Sequence, residues 1–243
     1  MTRIAGSLRI TDSLVLDNLD ALSELAEVGG DLVVQGNEAV TGLAGLGSLT
    51  SLGGDLLISD NTLLGSALDL YALGSIGGKL TVQNNPVLAN LDGLSQLTSI
   101  GEDLEVLGNE LLSDMEGLSG IASVPASLIL NGNAILDDLN GLKNIAAIGD
   151  DLVITENASL QRLDGLSGIE AIGGSLVVKG NEALTTLAGL NQIASIGDTM
   201  DIGNNPVLPQ CRAEELRDNI GVDNVGCQIL IYNNQKFCPR IGP

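Results

Sequence analysis

The chain contains no histidine and no tryptophan, and its aromatic residues are two tyrosines and one phenylalanine. Without histidine, Ser–His and Cys–His nucleophile systems are excluded. With three cysteines and no histidine, a structural zinc site is not expected either. Basic residues are scarce as well: 10 Lys and Arg stand against 31 Asp and Glu, a net charge of −21. Nucleic acids and anionic membranes need a basic patch, so neither is expected as a partner. The acidity reads as a soluble, self-repelling surface, or as a match to a cation-rich setting or a basic partner. No run of 18 apolar residues occurs, so no membrane span is expected. The opening MTRIAGSLRI lacks the apolar core of a signal peptide, and the expectation is that any secretion signal has been removed from this chain. The Gly-Gly pairs have no following basic residue and helix, so they are not phosphate loops. No EF-hand or nonapeptide calcium motif is present. No cofactor is expected, with Ca²⁺ at a corner carboxylate cluster left open.

What the chain does contain is aliphatic and periodic. It is 44% hydrophobic with 32 glycines. In strides of 24, Leu8, Leu32, Leu56, Leu80, Leu104, Leu128, Leu152, Leu176 and Met200 form one column. Two residues on, Ile10, Val34, Ile58, Val82, Val106, Leu130, Ile154, Val178 and Ile202 form a second. A third holds Asn37, Asn61, Asn85, Asn109, Asn133, Asn157, Asn181 and Asn205, with Ser13 in the first register. A fixed period of this length is the signature of stacked repeats that bury their apolar faces only against one another. The expected fold is all-β, a parallel β-helix or solenoid of about ten 24-residue turns.

Each repeat follows G-x-L-x-I-x-x-N-x-x-L-x-x-L-x-G-L-x-x-L-x-x-I-G. The L-x-I segment alternates and predicts a short strand with both large residues inward. Beyond the Asn, apolar residues recur at every third position (Val40, Leu43, Leu46, Leu49, Leu52), which predicts a tight, partly extended or 3₁₀-like path. The Gly-Gly pair before each strand predicts a corner needing positive φ or close backbone approach. Asp92-Gly93 and Asp164-Gly165 read as turn chemistry. The Asn column predicts an internal ladder whose amides satisfy backbone groups at the bend and stack from repeat to repeat. Asn157-Ala158-Ser159 matches a glycosylation sequon, but its Asn falls in the ladder, so it is expected to stay unmodified.

The run I-G-G-x-L-x-I-x-x-N-x-x-L-x-x-L-x-G-L resembles the receptor L-domain, the leucine-rich, β-helical ligand-binding module of insulin- and EGF-receptor-like ectodomains. Similar repeats occur in fungal cell-wall and bacterial surface proteins. SIGGKLTVQNNPVLANLDGLSQLTSIG, Ser75 to Gly101, is the best single match, and the resemblance covers nearly the whole chain. The ordinary leucine-rich repeat, L-x-x-L-x-L-x-x-N-x-L, is spaced differently: Leu52 to Leu56 is four residues, not three, and Asn61 to Leu64 is three, not two. L-domains carry irregular turns and insertions that often hold their ligand contacts, and this chain has almost none. The resemblance therefore implies a leucine-rich-repeat variant at the cell surface or outside the cell, but transfers no specific binding residue.

The repeat region is expected over 1–208 and a C-terminal cap over 209–243. In the cap, 212–221 reads as an amphipathic helix with Ala213, Leu216 and Ile220 on one face, and 227–234 as a last strand with Asn234 in the ladder position. All three cysteines lie there. The favoured pairing is Cys211–Cys238, stapling the start of the helix to the tail, although connectivity is not readable from sequence. Three reduced cysteines in a cytosolic cap is the alternative. At the other end, Ile4 falls in the column of Val28 and Leu52, so the first repeat is expected to show an apolar edge that self-association could cover.

For function, the column between the two inward strand positions runs Arg9, Val33, Leu57, Thr81, Glu105, Ile129, Val153, Val177, Asp201, Leu230. The candidate partner face is Val33, Leu57, Thr81, Glu105, Ile129, Val153 and Val177, an apolar stripe bordered by Asp31, Gln35, Asp55, Ser59, Lys79, Gln83, Ser127, Asn131, Asp151, Thr155, Ser175 and Lys179. β-Branched residues also favour strands whichever way they point. Ice binding would need a regular threonine column, which is absent. The acid pairs Asp137-Asp138, Asp150-Asp151 and Glu102-Asp103 recur with the repeat's corners, and catalytic carboxylates are not expected among them. The expectation is a non-enzymatic binding module for a protein or glycan, with a self-assembling structural block as the alternative.

Overall fold

A computed structural model of the chain describes residues 2–65 and 69–238. Its main feature is a ten-stranded parallel sheet whose strands follow one another in chain order, from Leu8–Thr11 to Ile229–Tyr232. Two four-stranded parallel sheets of two-residue strands lie beside it, one starting at Arg3–Ile4 and one at Ser123–Val124. The three sheets remain separate, and the large one does not close on itself. Register is invariant: Leu8 pairs with Leu32, Leu32 with Leu56, Leu56 with Leu80, and so on to Leu176 with Met200.

The alternation of each strand explains the pairing. Leu128 and Leu130 are fully buried and Ile129 between them is not. Sliding a strand by one residue would turn that pair to solvent, so the hydrophobic pattern pins the register. After the ladder position, seven repeats run through a single 3₁₀ turn, such as Asn140–Leu142 or Asp164–Leu166. Residues three apart eclipse in that geometry, which places Leu139, Leu142 and Ile145 in the core together.

The Asn column forms a continuous buried ladder. Asn133 donates from Nδ2 to the Val106 carbonyl at 2.9 Å and to Asn157 Oδ1 at 3.2 Å. Its own Oδ1 receives the Asn109 backbone N–H at 3.2 Å and Asn109 Nδ2 at 3.4 Å. The same set recurs from Asn37 to Asn205 and ends on Asn234. Asn157, the sequon residue, is fully buried with Nδ2 bonded to Leu130 O, out of reach of any modifying enzyme in the folded protein.

Of the two uses expected of the Gly-Gly pair, positive φ falls elsewhere, at the residue just before each ladder position: Asp12, Gly36, Asp60, Asn84, Gly108, Gly132, Glu156, Gly180, Asn204 and Asn233. The Gly-Gly pair serves close approach instead: a Cβ on Gly53 would lie 2.2 Å from the Gly29 carbonyl oxygen. The Asp-Gly pairs lie in turns of the 3₁₀ kind. Asp164-Gly165 opens a 3₁₀ turn, and a Cβ on Gly165 would lie 1.9 Å from Leu139 O in the repeat before.

At the C-terminal end, the helix α1 spans Gln210–Ile220, starting after Pro209 and burying Ala213, Leu216 and Ile220. It starts two residues earlier than the expected 212–221 because Pro209 supplies the non-helical residue before its first turn. It lengthens the ladder step from 24 residues to 29 between Asn205 and Asn234. The last strand is Ile229–Tyr232, shorter than 227–234, because Asn233 takes the same left-handed bend that ends every other strand. Cys211 and Cys238 are bonded, with Cα atoms 6.0 Å apart, and Cys227 is free and exposed.

Replacing Asn133 by Ala strips partners from the buried Asn109 N–H and Val106 C=O, and is expected to cost about 2–6 kcal/mol in urea unfolding. Gly165→Ala should lower the unfolding midpoint sharply, whereas Gly6→Ala, with nothing within 4 Å of its Cβ, should stay within about 0.5 kcal/mol of the parent.

Candidate functional site

The outward face of the ten-stranded sheet carries the column from Arg9 to Leu230, and the structure brings Val33, Leu57, Thr81, Glu105, Ile129, Val153 and Val177 into one line across neighbouring strands. The line is not uniformly open. Val33 and Thr81 are 4% and 3% exposed, so each is buried despite facing away from the core. In an in-register parallel sheet each outward side chain is flanked above and below by its own column, at about 4.8 Å spacing, and longer neighbours close over the smaller ones. Leu57, Glu105, Ile129, Val153 and Val177 remain half-buried.

Two polar clusters divide the line. Thr81 Oγ1 donates to Glu105 Oε2 at 2.7 Å, and Lys79 Nζ reaches the same oxygen at 3.3 Å. Together with Arg9, Asp31, Val33, Asp55, Leu57 and Gln83 they line a shallow depression of about 330 Å³. Farther along, Lys179 Nζ meets Asp201 Oδ2 at 2.5 Å and lies 5.9 Å from the centre of the Tyr232 ring. The hydrogen bond to the Asp201 carboxylate holds the Lys179 ammonium above its ordinary pKa; burial opposes this and the Tyr232 hydroxyl adds to it. Between these clusters lies the aliphatic patch of Ile129, Val153 and Val177.

One border of the face has a second use. Asp55 N–H donates to Asp31 Oδ1 at 3.2 Å, Lys79 N–H to Asp55 Oδ1 at 2.9 Å, and Ser127 N–H to Asp103 Oδ1 at 2.9 Å. Asp151 N–H then bonds Ser127 Oγ, Ser175 N–H bonds Asp151 Oδ1, and Thr199 N–H bonds Ser175 Oγ. These Ser and Asp side chains, expected as the polar margin of a binding face, form a second inter-repeat ladder. It breaks at Lys79, whose ammonium has no acceptor to offer. The signal was in the sequence: the column Ser7, Asp31, Asp55, Asp103, Ser127, Asp151, Ser175 is made of short hydrogen-bond acceptors.

In each acidic pair one side chain is engaged, Asp103 and Asp151 in this ladder and Asp138 in a turn. Asp138 Oδ1 accepts the Asn140 N–H at 2.9 Å, the same short turn that Asp114 makes with Glu116. Among the described residues, no group of three or more His, Cys, Asp or Glu side chains is arranged to hold a metal ion. No described helix is long and apolar enough to cross a membrane. Beside the free Cys227, the Asp198 carboxylate raises the thiol pKa.

A feature that the sequence reading missed is a second column, two residues after each ladder Asn. Leu63, Val87, Leu111 and Ile135 sit there on consecutive repeats, 37–48% exposed. They form an aliphatic ridge along a corner, separate from the sheet face. Their 24-residue spacing was visible, hidden only because the repeat formula recorded the position as variable.

The chain matches no protein-family model, and no curated protein matches it.

Asp201→Asn is expected to bring the Lys179 pKa down toward its ordinary value, read by NMR titration of the lysine side chain. The raised pKa means that the ion pair's contribution is complete below the ordinary lysine value and is lost as pH rises through the folded-state value. In Asp201→Asn that loss should shift to lower pH.

Proposed function

We propose that the chain is a solenoid of about ten 24-residue turns, an L-domain-like leucine-rich variant with a C-terminal cap, and that it serves as a non-enzymatic binding module. Its sheet face meets a protein or glycan partner outside the cell or at the cell surface. The observation that carries this reading is the half-buried patch of Ile129, Val153 and Val177, flanked by Asn131, Thr155 and Lys179 on one side and the Ser127–Asp151–Ser175 ladder on the other. Both ladders hold the strands beneath the patch, so a partner meets a pre-organised surface and little conformational entropy is lost on binding. The bonded Cys211–Cys238 pair fits an oxidising compartment. The net charge of −21 fits a partner other than nucleic acid. No catalytic step enters this reading.

A second reading, a structural block that self-assembles, is favoured by the first repeat, where Leu8, Ile10, Leu16 and Leu22 are only partly covered and Leu14 and Val15 are exposed. Light scattering over a wide concentration range separates the two: a constant monomer favours the binding module, and oligomers lost in Leu8→Lys favour assembly. For the binding module, a Val153→Lys/Val177→Lys double variant should keep its melting temperature within a few degrees, because each change lies at the surface. It should lose at least roughly tenfold in affinity for the glycans or displayed peptides that the parent selects. Retention of every binder by a folded variant would refute the sheet-face assignment.

A further inference from the structure

Asp201 is 8% exposed, and its Oδ1 has no hydrogen-bond partner, while Oδ2 is held by Lys179. A buried, unpaired acceptor on an ionised group is costly, and its persistence calls for a physical reason. Around it the face offers three other things. Lys179 carries three ammonium hydrogens, and its contact with Asp201 Oδ2 engages one of them, which leaves donors free. The Tyr232 ring lies across Gly203, where a Cβ would come within 2.5 Å of the ring; the missing side chain lets the ring lie against the sheet. Val177 and Leu230 stand on either side of Asp201 in its column.

We propose that this cluster is a subsite for a neutral, polyhydroxylated ligand, that is, one sugar unit of a glycan. The inference rests on the binding-face reading above and names its ligand class. A free acceptor beside a free donor matches a pair of adjacent hydroxyls: the first donates to Asp201 Oδ1, and the second accepts from Lys179 Nζ. The ligand is uncharged because the site itself is a closed ion pair. An anion would meet the Asp201 carboxylate, and a cation would meet the Lys179 ammonium. The apolar C–H face of the ring packs on Tyr232 and Val177. Oδ1 is shut off from solvent in the free protein, so the subsite opens with a side-chain movement, and Lys179, 30% exposed, is the group free to shift while keeping its ammonium beside Asp201. Such changes are fast at surfaces and do not disturb the strands.

The test is a ¹⁵N-resolved NMR titration of the full chain with neutral tetrasaccharides of glucose, mannose, galactose and N-acetylglucosamine, and with an uncharged peptide of similar size. At least one saccharide should shift the amides of 177–179, 201–203 and 230–232. Its affinity should fall at least roughly tenfold in Asp201→Asn and in Lys179→Met, and also in Tyr232→Leu. Circular dichroism and thermal melts check that each variant is folded, and any one folded variant suffices. Saccharide shifts confined to Ile129 and Val153 and insensitive to these changes overturn the subsite but leave the binding face standing. Shifts produced by the peptide alone do the same. If neither class perturbs any amide of the face, or if Oδ1 is capped by a fixed water that no saccharide displaces, the subsite falls; the first of these results removes the binding-face reading as well.

Discussion

The amide of one asparagine per repeat is the contact on which the rest of the structure depends. Each repeat bends sharply after its strand, and the bend exposes backbone groups to an aliphatic interior that cannot satisfy them. Buried N–H and C=O groups must find partners. The ladder Asn supplies both kinds at once: Oδ1 accepts from the repeat before, and Nδ2 donates back to a strand carbonyl there. Because the acceptor and donor act across repeats, no turn is complete alone. This makes the 24-residue spacing a hard constraint, since an added residue would carry the amide away from its partners. The single departure, the 29-residue step to Asn234, is taken up by a helix that leaves the column and returns to it.

The close stacking that the ladder enforces decides which side chains fit at the corners. Carbonyls of one repeat lie where a Cβ of the next would be, at Gly53 and Gly165 among others, so those positions have no room for a side chain. The same closeness shapes the outward face. Val33 and Thr81 are covered by their column neighbours, Tyr232 reaches across Gly203, and Lys179 extends to Asp201 one strand away. The face is therefore a row of alternating apolar and paired-charge patches, each held by bonds underneath it.

Much of this was legible in the residues. The Leu and Ile columns, the 3₁₀-like spacing after the Asn and the helix in the cap were all visible as periodicities, because burial repeats with the same period as the chain path. The second ladder was not recognised. Asp31, Asp55 and Asp151 have the composition of a solvated margin, and only their distances to the next repeat's N–H groups show that they are structural. The positive-φ column was missed because its residues are mixed, Gly in some repeats and Asp, Asn or Glu in others, all tolerating the same bend. The ridge of Leu63, Val87, Leu111 and Ile135 was missed because its position also holds small residues, Ala39, Ser159 and Ala183, and so counted as variable in the repeat formula.

The sequence by itself determined the repeat length, the inward columns, the buried amide and the place where the pattern is interrupted, because each follows from a period that any in-register stack must obey. The tertiary structure alone decided which outward residues are open, which carboxylates are already engaged, and that Lys179, Asp201 and Tyr232 meet. These depend on how far a side chain reaches across strands about 4.8 Å apart, a distance that exists only once the repeats are stacked.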